Sequence, residues 1–408
     1  MTKEKSTVPR LRFPGFTDAW KQRKLGEVAD FSIKTNSLSR DKLSSYYYEV
    51  QNIHYGDILT KYDAILDVCN KELPSIIGST ISDFADALLI EGDIVFADAA
   101  EDSTVGKAVE VRNFKGKNVV SGLHTIVARP KVPYAPYYLG YLINSTAYHN
   151  QILPLMQGTK VSSISKANLK STTVVFPTLP EQEAIGSFFS DLDQLITLHQ
   201  RKLDDVKELK KALLQKMFPK GNGNDFPELR FPEFTDAWKQ RKLGEVAEKF
   251  DNLRVPVTAS KRKPGDTPYY GANGIQDFVE GYTHDGEYIL IAEDGANDLK
   301  DYPVRYVNGK VWVNNHAHVI QALSNHANNL FLLIAIKSIN IEMYIVGGGR
   351  AKLNADVMMK LPISLPTLPE QEAIGSFFSD LDQLITLHQR QLDHLKLLKK
   401  ALLQQMFI

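Results

Sequence analysis

The segment TLPEQEAIGSFFSDLDQLITLHQR, residues 178–201, occurs a second time without change at residues 367–390. A second repeat precedes each copy, since PRLRFPGFTDAWKQRKLGEVA at 9–29 returns at 227–247 with two residues replaced by glutamate. The sequence between the repeated blocks is unrelated in the two halves. A faithful internal repeat indicates that one structural unit is used twice. The lead blocks are defined here as 9–29 and 227–247.

The helical block 176–218 returns at 365–407, and each copy predicts one long helix. Thr178 followed by Glu181 is a capping-box pattern, and Pro180 is tolerated in a first turn. Apolar residues recur at spacings of three and four along about 57 Å of helix, at 1.5 Å per residue. So narrow a stripe needs a partner, and the simplest is its own copy in a two-stranded coiled coil. The predicted interhelix packing residues are Leu192, Ile196, Leu203, Val206, Leu381, Ile385, Leu392 and Leu395.

Polar residues interrupt the apolar stripe at matching places, His199 and Lys210 in one copy and His388 and Lys399 in the other. Two interpretations are open: buried polar groups that fix the register of the pair, or side chains on a solvated flank. A Gly/Asn-rich linker follows the first helix and leads through a lead block and a globular region to the second helix. This connectivity predicts antiparallel helices with a globular domain at each end.

The fold class expected is α+β, with two mixed globular domains joined by the paired helices in a pseudo-twofold repeat. The predicted domain boundaries are 1–175, 176–218, 219–247, 248–364 and 365–408. The strands predicted in the two variable regions are 87–97, 106–111, 119–130, 172–176, 286–292, 303–308, 310–313, 317–322 and 361–365. Helices are predicted at 136–144 and 328–338. The two Pro-Tyr-Tyr segments, 135–138 and 267–270, are interpreted as turns.

The 408-residue chain has the composition of an ordinary globular protein, with 43% hydrophobic and 24% charged residues. It contains no apolar run of about 18 residues, so no transmembrane helix is expected. The one cysteine, Cys69, allows neither an internal disulfide nor a multi-cysteine zinc site. We expect a cytoplasmic protein without membrane contact. A formal net charge of zero argues mildly against nucleic-acid binding, because such domains are usually basic.

The positive charges nevertheless cluster in glycine-rich loops of both variable regions. Basic side chains interleaved with tyrosine and asparagine suit phosphate contacts and hydrogen bonds to base edges. For any single cluster a solvated loop is the simpler reading, and only the combined pattern favours DNA. The candidate DNA-binding residues are Lys107, Lys115, Lys117, Lys160, Ser162, Lys261, Arg262, Lys263, Tyr270, Asn273, Arg350 and Lys352.

A search for catalytic groups yields no credible constellation. No P-loop is present, and the glycines at 347–349 lack the spacing of a dinucleotide fingerprint. His316 and His318 would share one face of a strand, but without a third ligand a structural role is favoured over a metal site. We therefore expect no catalytic residue and no metal in this chain, which would select a target for another enzyme.

The chain resembles the specificity subunit of type I restriction-modification enzymes over essentially its whole length. The resemblance is carried by the repeated segments 179–185 and 368–374, by the lead block from Phe16 to Val28, and by 268–275 and 285–295 in the second variable region. Each variable region would then be a target recognition domain that reads one half of a bipartite, asymmetric DNA site. The helices would form an antiparallel coiled coil that sets the spacer.

The resemblance also implies partners. Two methyltransferase subunits, which use S-adenosylmethionine, would dock on the repeated frame, and two ATP-dependent restriction subunits, which require Mg, would join them. One adenine in each half-site would be methylated after being flipped into the methyltransferase. This chain itself would hold no cofactor and would lie in a bacterial cytoplasm, associated with the nucleoid through DNA. The alternatives are a scaffold that binds proteins through its variable regions and a carbohydrate- or nucleotide-modifying enzyme that uses His316 and His318 with a bound metal.

Overall fold

The computed structural model describes residues 8–219, 225–346 and 352–408. The chain divides into two compact units, the first made of residues up to 199 together with 391–408, and the second of 200–390. Each unit contains one variable region, one lead block, the first part of one long helix and the last part of the other.

Unit one is a mixed α/β domain. Its strands are β1 (Lys21–Lys24), β2 (Ala29–Asp30), β3 (Leu43–Ser44), β4 (Val50–Ile53), β5 (Ile65–Asp67), β6 (Ser75–Ile76), β7 (Ile94–Ala97), β8 (Ala99–Ala100), β9 (Ala108–Arg112), β10 (Asn118–Ser121), β11 (Thr125–Pro130), β12 (Ser162–Ser163) and β13 (Thr173–Phe176). Its helices are α1 (Leu25–Val28), α2 (Tyr55–Thr60), α3 (Tyr138–Ile143), α4 (Thr146–Ile152), α5 (Lys166–Ser171) and the beginning of α6 (Leu179–Lys216).

The main sheet of unit one has the strand order β2-β11-β7-β9-β5 and is buried on both faces. On β7, Ile94 and Phe96 belong to one apolar cluster, whereas Val95 and Ala97 belong to another. Successive side chains of a strand point to opposite faces, so an unbroken apolar run is what a doubly covered strand requires. A second sheet, β10-β4-β6-β3, completes the domain.

Unit two is also mixed. Its strands are β14 (Lys239–Lys242), β15 (Ala247–Lys249), β16 (Pro264–Gly271), β17 (Gly274–Val279), β18 (His284–Ala292), β19 (Val304–Val313), β20 (Ala317–Ala322) and β21 (Pro362–Leu365). Its helices are α7 (Leu243–Val246), α8 (Asn329–Lys337), α9 (Ala355–Met358) and most of α10 (Leu368–Met406).

The two variable regions share a sheet topology that their sequences do not reveal. The sheet of unit two runs β15-β20-β18-β19-β16-β17, and its first five positions repeat the order of the main sheet of unit one. In both sheets the first four strands are mutually antiparallel, and the fifth is parallel to the fourth. A short ladder, β1 with β13 or β14 with β21, joins each lead block to the strand before a long helix.

The long helices are antiparallel, as the connectivity predicts. In unit one the beginning of α6 packs with the end of α10, where Phe189 stacks on Phe407 at 6.0 Å between ring centroids. Lys399 of α10 is ion-paired with Asp193 of α6 there. In unit two the repeat-related pair, Lys210 with Asp382, joins the end of α6 to the beginning of α10.

These ion pairs decide the role of the interrupting lysines. Lys210 and Lys399 are only 13% and 17% exposed, so they are largely buried and paired instead of solvated. They thus contribute polar pairs at fixed positions along the two helices, as the register interpretation requires.

The predicted interhelix residues are mostly withdrawn from solvent. Leu192, Leu203 and Leu392 are buried, and Ile196 and Leu395 pack against the core of unit one. Leu381 packs against the core of unit two, and Val206 and Ile385 are half-buried.

Most of the predicted strands and helices are confirmed, with shifted ends. The expected turn at 267–270 is wrong, because these residues lie within β16. The strands predicted at 303–308 and 310–313 are one strand, β19, which passes through Gly309 at φ +89°. Gly309 lies opposite Gly286 in the ladder, and both have a positive φ. Glycine adopts this backbone conformation easily, so β18 and β19 can stay paired on both sides of these two residues. The strand predicted at 119–130 is two strands, and that at 87–97 is confined to β7.

Candidate functional site

An ion pair at the centre of each repeated frame is the first feature that sequence reasoning missed. Arg12 of the lead block makes two hydrogen bonds to the carboxylate of Glu181 in α6, at 2.6 and 2.8 Å. The indole of Trp20 also donates to this carboxylate, at 3.4 Å, and the Glu181 side chain has no solvent exposure. The hydrogen bonds to Glu181 raise the pKa of Arg12. The carboxylate expected to complete a capping box therefore holds the lead block against the helix instead.

The same arrangement recurs in unit two. Arg230 makes two hydrogen bonds to Glu370, each 2.7 Å long, and Trp238 donates to it at 3.3 Å. The lead block also meets the end of the other long helix, since the amide of Leu229 donates to the carbonyl of Lys216. The arginine and the glutamate both lie in repeated blocks and are the same residue types in both copies. This repetition was the sequence feature that could have indicated their pairing. The frame is thus one three-dimensional unit built twice.

The candidate residues of the first domain fall into three places. Lys107 is half-buried and donates to the carbonyl of Leu59, and burial lowers its pKa. Lys115 is exposed at the tip of the β9–β10 turn, whereas Lys117 of the same turn donates to two backbone carbonyls. Lys160 is exposed, and Ser162 begins β12, which pairs with β8. Lys115 and Lys160 thus reach solvent most directly, while the ammonium groups of Lys107 and Lys117 bond to backbone.

In the second domain, Lys261, Arg262 and Lys263 line a cavity of about 430 Å³ with Tyr269 and Trp312. The guanidinium of Arg262 lies 4.1 Å from the centre of the Tyr269 ring, and the two aromatic rings stack at 6.4 Å. Cations held over aromatic faces can contact phosphates and stack on bases. Arg262 also pairs with Asp277 at 3.4 Å, and Tyr269 is buried, so within the described part of the chain the cations of this cavity without a carboxylate partner are the lysines on either side of Arg262.

Tyr270 and Asn273 lie apart from that cavity, in a separate groove of unit two. Tyr270 follows Tyr269 in β16, but Tyr270 lines this groove whereas Tyr269 lines the cavity. Asn273, in the β16–β17 turn, accepts from the amide of Asn297 and donates to the carbonyl of Gly295. Its side chain is therefore already used to hold the turn against the loop that follows β18.

Lys352, near the end of the second variable region, takes part in a group of ion pairs centred on Glu293, which directly follows β18. Lys352 is ion-paired with Glu293 at 2.9 Å, and Glu293 also pairs with Arg254. Burial works to raise the pKa of Glu293, and its hydrogen bonds from these two cations outweigh burial and hold the pKa below its ordinary value. Arg350 lies outside the described residues.

The two histidines considered as metal ligands are engaged in hydrogen bonds. Both ring nitrogens of buried His318 face acceptors, the carboxylate of Asp251 at 2.7 Å and the carbonyl of Leu353 at 2.8 Å. His316 contacts the carboxylate of Asp294. No group of three or more His, Cys, Asp or Glu side chains is arranged to hold a metal ion within 8–219, 225–346 and 352–408. The contacts of His318 give it the structural role that its sequence context favoured.

Among the described helices, none has the length and apolar character needed to cross a bilayer. The geometry instead defines a class of protein, in which a duplicated helical frame carries two different domains with basic and aromatic surfaces. Comparisons with known proteins agree. The sequence model described as the type I restriction modification DNA specificity domain matches twice, at 17–208 and 235–397. The chain therefore belongs to the family of type I restriction-modification specificity subunits, which recognise DNA sequence.

Two curated relatives show how the similarity is distributed. A Haemophilus influenzae protein named as a type I restriction enzyme specificity subunit is 44% identical over 147 residues, which cover 36% of this chain and 37% of that protein. A Methanocaldococcus jannaschii protein named as the MjaX specificity subunit is 24% identical over 94% of this chain and 92% of its own length.

Solved structures show the same fold. The specificity subunit of a type I restriction-modification system from M. genitalium superimposes with a TM-score of 0.66 at 16% identity, over 98% of this chain and 99% of that one. A chain from a study of complex assembly in the type I restriction-modification system gives a TM-score of 0.51 at 17% identity, over 95% and 97% of the two chains.

Proposed function

We propose that this chain reads a bipartite, asymmetric DNA site, with one half-site assigned to each variable domain. The observation that supports this most directly is the combination of an identical frame with unlike domains. The Arg12–Glu181 and Arg230–Glu370 pairs hold two copies of one scaffold, whereas the domains between them differ in sequence. Protein twofold symmetry matches paired half-sites on DNA, and unlike domains give unlike half-sites.

The paired helices would set the spacer between the half-sites. α6 and α10 contain 38 and 39 residues, so each is about 57 Å long, well beyond one turn of B-DNA. The two Lys–Asp pairs of the helices, whose lysines are largely buried, favour a single register. A single register would hold the reading domains at a constant distance, and the length of the spacer would then be constant as well.

The repeated frame would dock two methyltransferase subunits, one on each copy. The partners would supply the chemistry, with S-adenosylmethionine for adenine-N6 methylation, and ATP and Mg for two restriction subunits. The exposed leucines of the long helices support a docking role, since Leu195 and Leu198 recur as Leu384 and Leu387, all at least 38% exposed. An apolar patch repeated by the frame is suited to two copies of one partner.

The experiment that tests this proposal is genome-wide mapping of N6-methyladenine in cells that express the chain with its cognate methyltransferase. A two-part motif with a constant gap is the expected result. Tyr270→Ala should relax only one half of that motif, and Lys115→Ala, in the other domain, should affect only the other half. Absence of new methylation, with both proteins associated, would favour a scaffold role instead.

A further inference from the structure

A large groove in unit two lies between the second variable domain and the beginning of α10. Its volume is about 860 Å³, and its walls are the β16–β17 turn, the start of β19, one face of α8 and α10 from Gly375 to Arg390. The groove therefore joins the part of the protein that differs between the halves to the part that is repeated.

Among the charged side chains that line this groove, cations outnumber anions. Its cations are Arg305 from β19, Lys337 from the end of α8 and Arg390 from α10, and its single acidic residue is Asp382. The carboxylate of Asp382 is already paired with Lys210. The lining thus has a surplus of cations that a bound anion would neutralise.

Lys337 shows the effect of this surplus. Burial lowers the pKa of its ammonium group, and repulsion from Lys210 lowers it further. Arg305 adds to the repulsion, while Asp301 and Asp382 oppose it. An anion placed among these cations would relieve the repulsion and favour the charged lysine.

A related arrangement occurs in unit one, where the variable domain has a different sequence and the cavity borders the end of a long helix instead of its beginning. A cavity of about 320 Å³ lies between that domain and the end of α10, and Lys107, His149 and Lys399 line it together with Asp63. Burial lowers the pKa of Lys107, attraction to Asp63 opposes this, and repulsion from Lys399, the repeat counterpart of Lys210, adds to the lowering. Lys399 is paired with Asp193, as Lys210 is with Asp382.

The two buried lysines come from unlike places in their domains. Lys107 directly precedes β9, whereas Lys337 ends α8. Two unrelated sequences have therefore each placed a partly buried lysine beside the repeated Lys–Asp pair of the helices. A second cation in a partly buried place carries a desolvation cost, which the hydrogen bond from Lys107 to the carbonyl of Leu59 offsets in part and a bound anion would offset further.

We propose that each of these two helix–domain grooves holds a phosphodiester group of the DNA backbone, so that the helical frame grips DNA together with the recognition domains. The proposal rests on the DNA-reading function proposed above and adds a place and a ligand class. Phosphate contacts fix the register of a protein on a duplex without reading its sequence. Contacts at both grooves would align the recognition domains with their half-sites.

The test uses the specificity subunit assembled with its methyltransferase, with binding measured to cognate and unrelated duplexes at several salt concentrations. Lys337→Gln should reduce the slope of log K against log salt by about 0.9, the value for one neutralised phosphate. If the variant and the unsubstituted complex bind equally near 1 M salt, this change of slope makes the variant's binding about eightfold weaker at 0.1 M salt. The loss should be equal on both duplexes, because phosphate contacts are independent of sequence.

Arg305→Gln is a second variant with the same expected result, and it keeps the test decisive if Lys337→Gln folds poorly. Arg201→Gln is the matched control, because Arg201 is the repeat counterpart of Arg390 and does not line the smaller groove. It should leave the slope unchanged.

Three outcomes overturn the proposal. An unchanged slope with normal complex formation excludes phosphate binding at the groove. An unchanged slope with weaker methyltransferase association identifies the groove as a protein-docking surface. A loss confined to cognate DNA assigns these residues to base reading. Failure of the unsubstituted complex to bind DNA would instead refute the DNA-reading function, so the two failures are distinguishable.

Discussion

Removing the carboxylate of Glu181 should open the first lead block locally and leave its copy in place. In the native structure Glu181 has no exposure and accepts from both Arg12 and Trp20. Glu181→Ala leaves the guanidinium without its carboxylate and the indole without an acceptor. The matching block of unit two keeps its own pair, Arg230 with Glu370, and acts as an internal reference.

The magnitude follows from the burial of the pair. Breaking a buried ion pair by removing one partner costs about 3–5 kcal/mol. Arg12 keeps a hydrogen bond to the carbonyl of Asp18, and its side chain is 13% exposed, so the lower end applies. A loss of about 3 kcal/mol corresponds to a roughly 100-fold larger population of the opened block.

Amide hydrogen exchange with peptide-level mass spectrometry measures this population directly. Peptides from 9–29 and 227–247 have nearly the same sequence, so their intrinsic exchange rates are similar, and the two glutamate replacements separate their masses. The amide of Leu25, bonded to the carbonyl of Thr172, and its counterpart Leu243, bonded to that of Leu361, are equivalent reporters.

Glu183→Ala is the control, since Glu183 lies on the same helix turn and is exposed. The expected result is faster exchange in 9–29 alone, and only for Glu181→Ala. An acceleration below about fivefold would mean that the pair is worth no more than a surface salt bridge, and the reasoning would be refuted. Equal acceleration of both blocks would show that they do not open independently.

Three further predictions concern charge and packing in the two units. Lys210→Asp should lower the unfolding free energy of unit two by more than about 1 kcal/mol in urea, because two carboxylates then face each other, and adding Asp382→Lys should restore most of it. Burial works to raise the pKa of Asp251, but hydrogen bonds from His318 and a backbone amide outweigh it and leave the pKa below its ordinary value. Its contribution is therefore complete above the unfolded pKa of about 3.9 and is lost as pH falls through the lower folded value, so the urea midpoints of Asp251→Asn and the unsubstituted protein should approach each other only as pH falls below about 3.9. Gly186→Ala should destabilise unit one by about 1–3 kcal/mol in thermal melts, although alanine favours helix, because its Cβ would lie 2.4 Å from a backbone carbonyl.

Periodic features of the sequence predicted the frame well. The apolar spacing of 176–218 predicted α6, and the connectivity predicted that α10 would run antiparallel to it. These features depend on local periodicity and chain order, which are present in the sequence itself. Prediction was less accurate for β16, because a Pro-Tyr-Tyr segment is compatible with a turn until a neighbouring strand pairs with it.

The candidate site was only partly predictable, for a related reason. Lysine clusters such as 261–263 are visible in the sequence, but whether each ammonium reaches solvent depends on neighbours far along the chain. Lys117 donates to carbonyls at Val68 and Cys69, and Lys352 pairs with Glu293. No spacing rule indicates these partners, because tertiary folding brings them together.

Residue order alone was enough to predict that one frame occurs twice, that each copy contains a long amphipathic helix, and that the inserts differ. Repetition and periodicity are properties of the order of residues, so they need no coordinates. The folded chain was needed to show that the unlike inserts share one sheet order and that Glu181 binds Arg12. It was also needed to show that Lys337 shares a groove with Asp382, and Lys107 a cavity with Lys399. Such relations join residues that are distant in the chain, 169 positions in the case of Arg12 and Glu181, and their energies depend on burial and distance, which the order of residues does not contain.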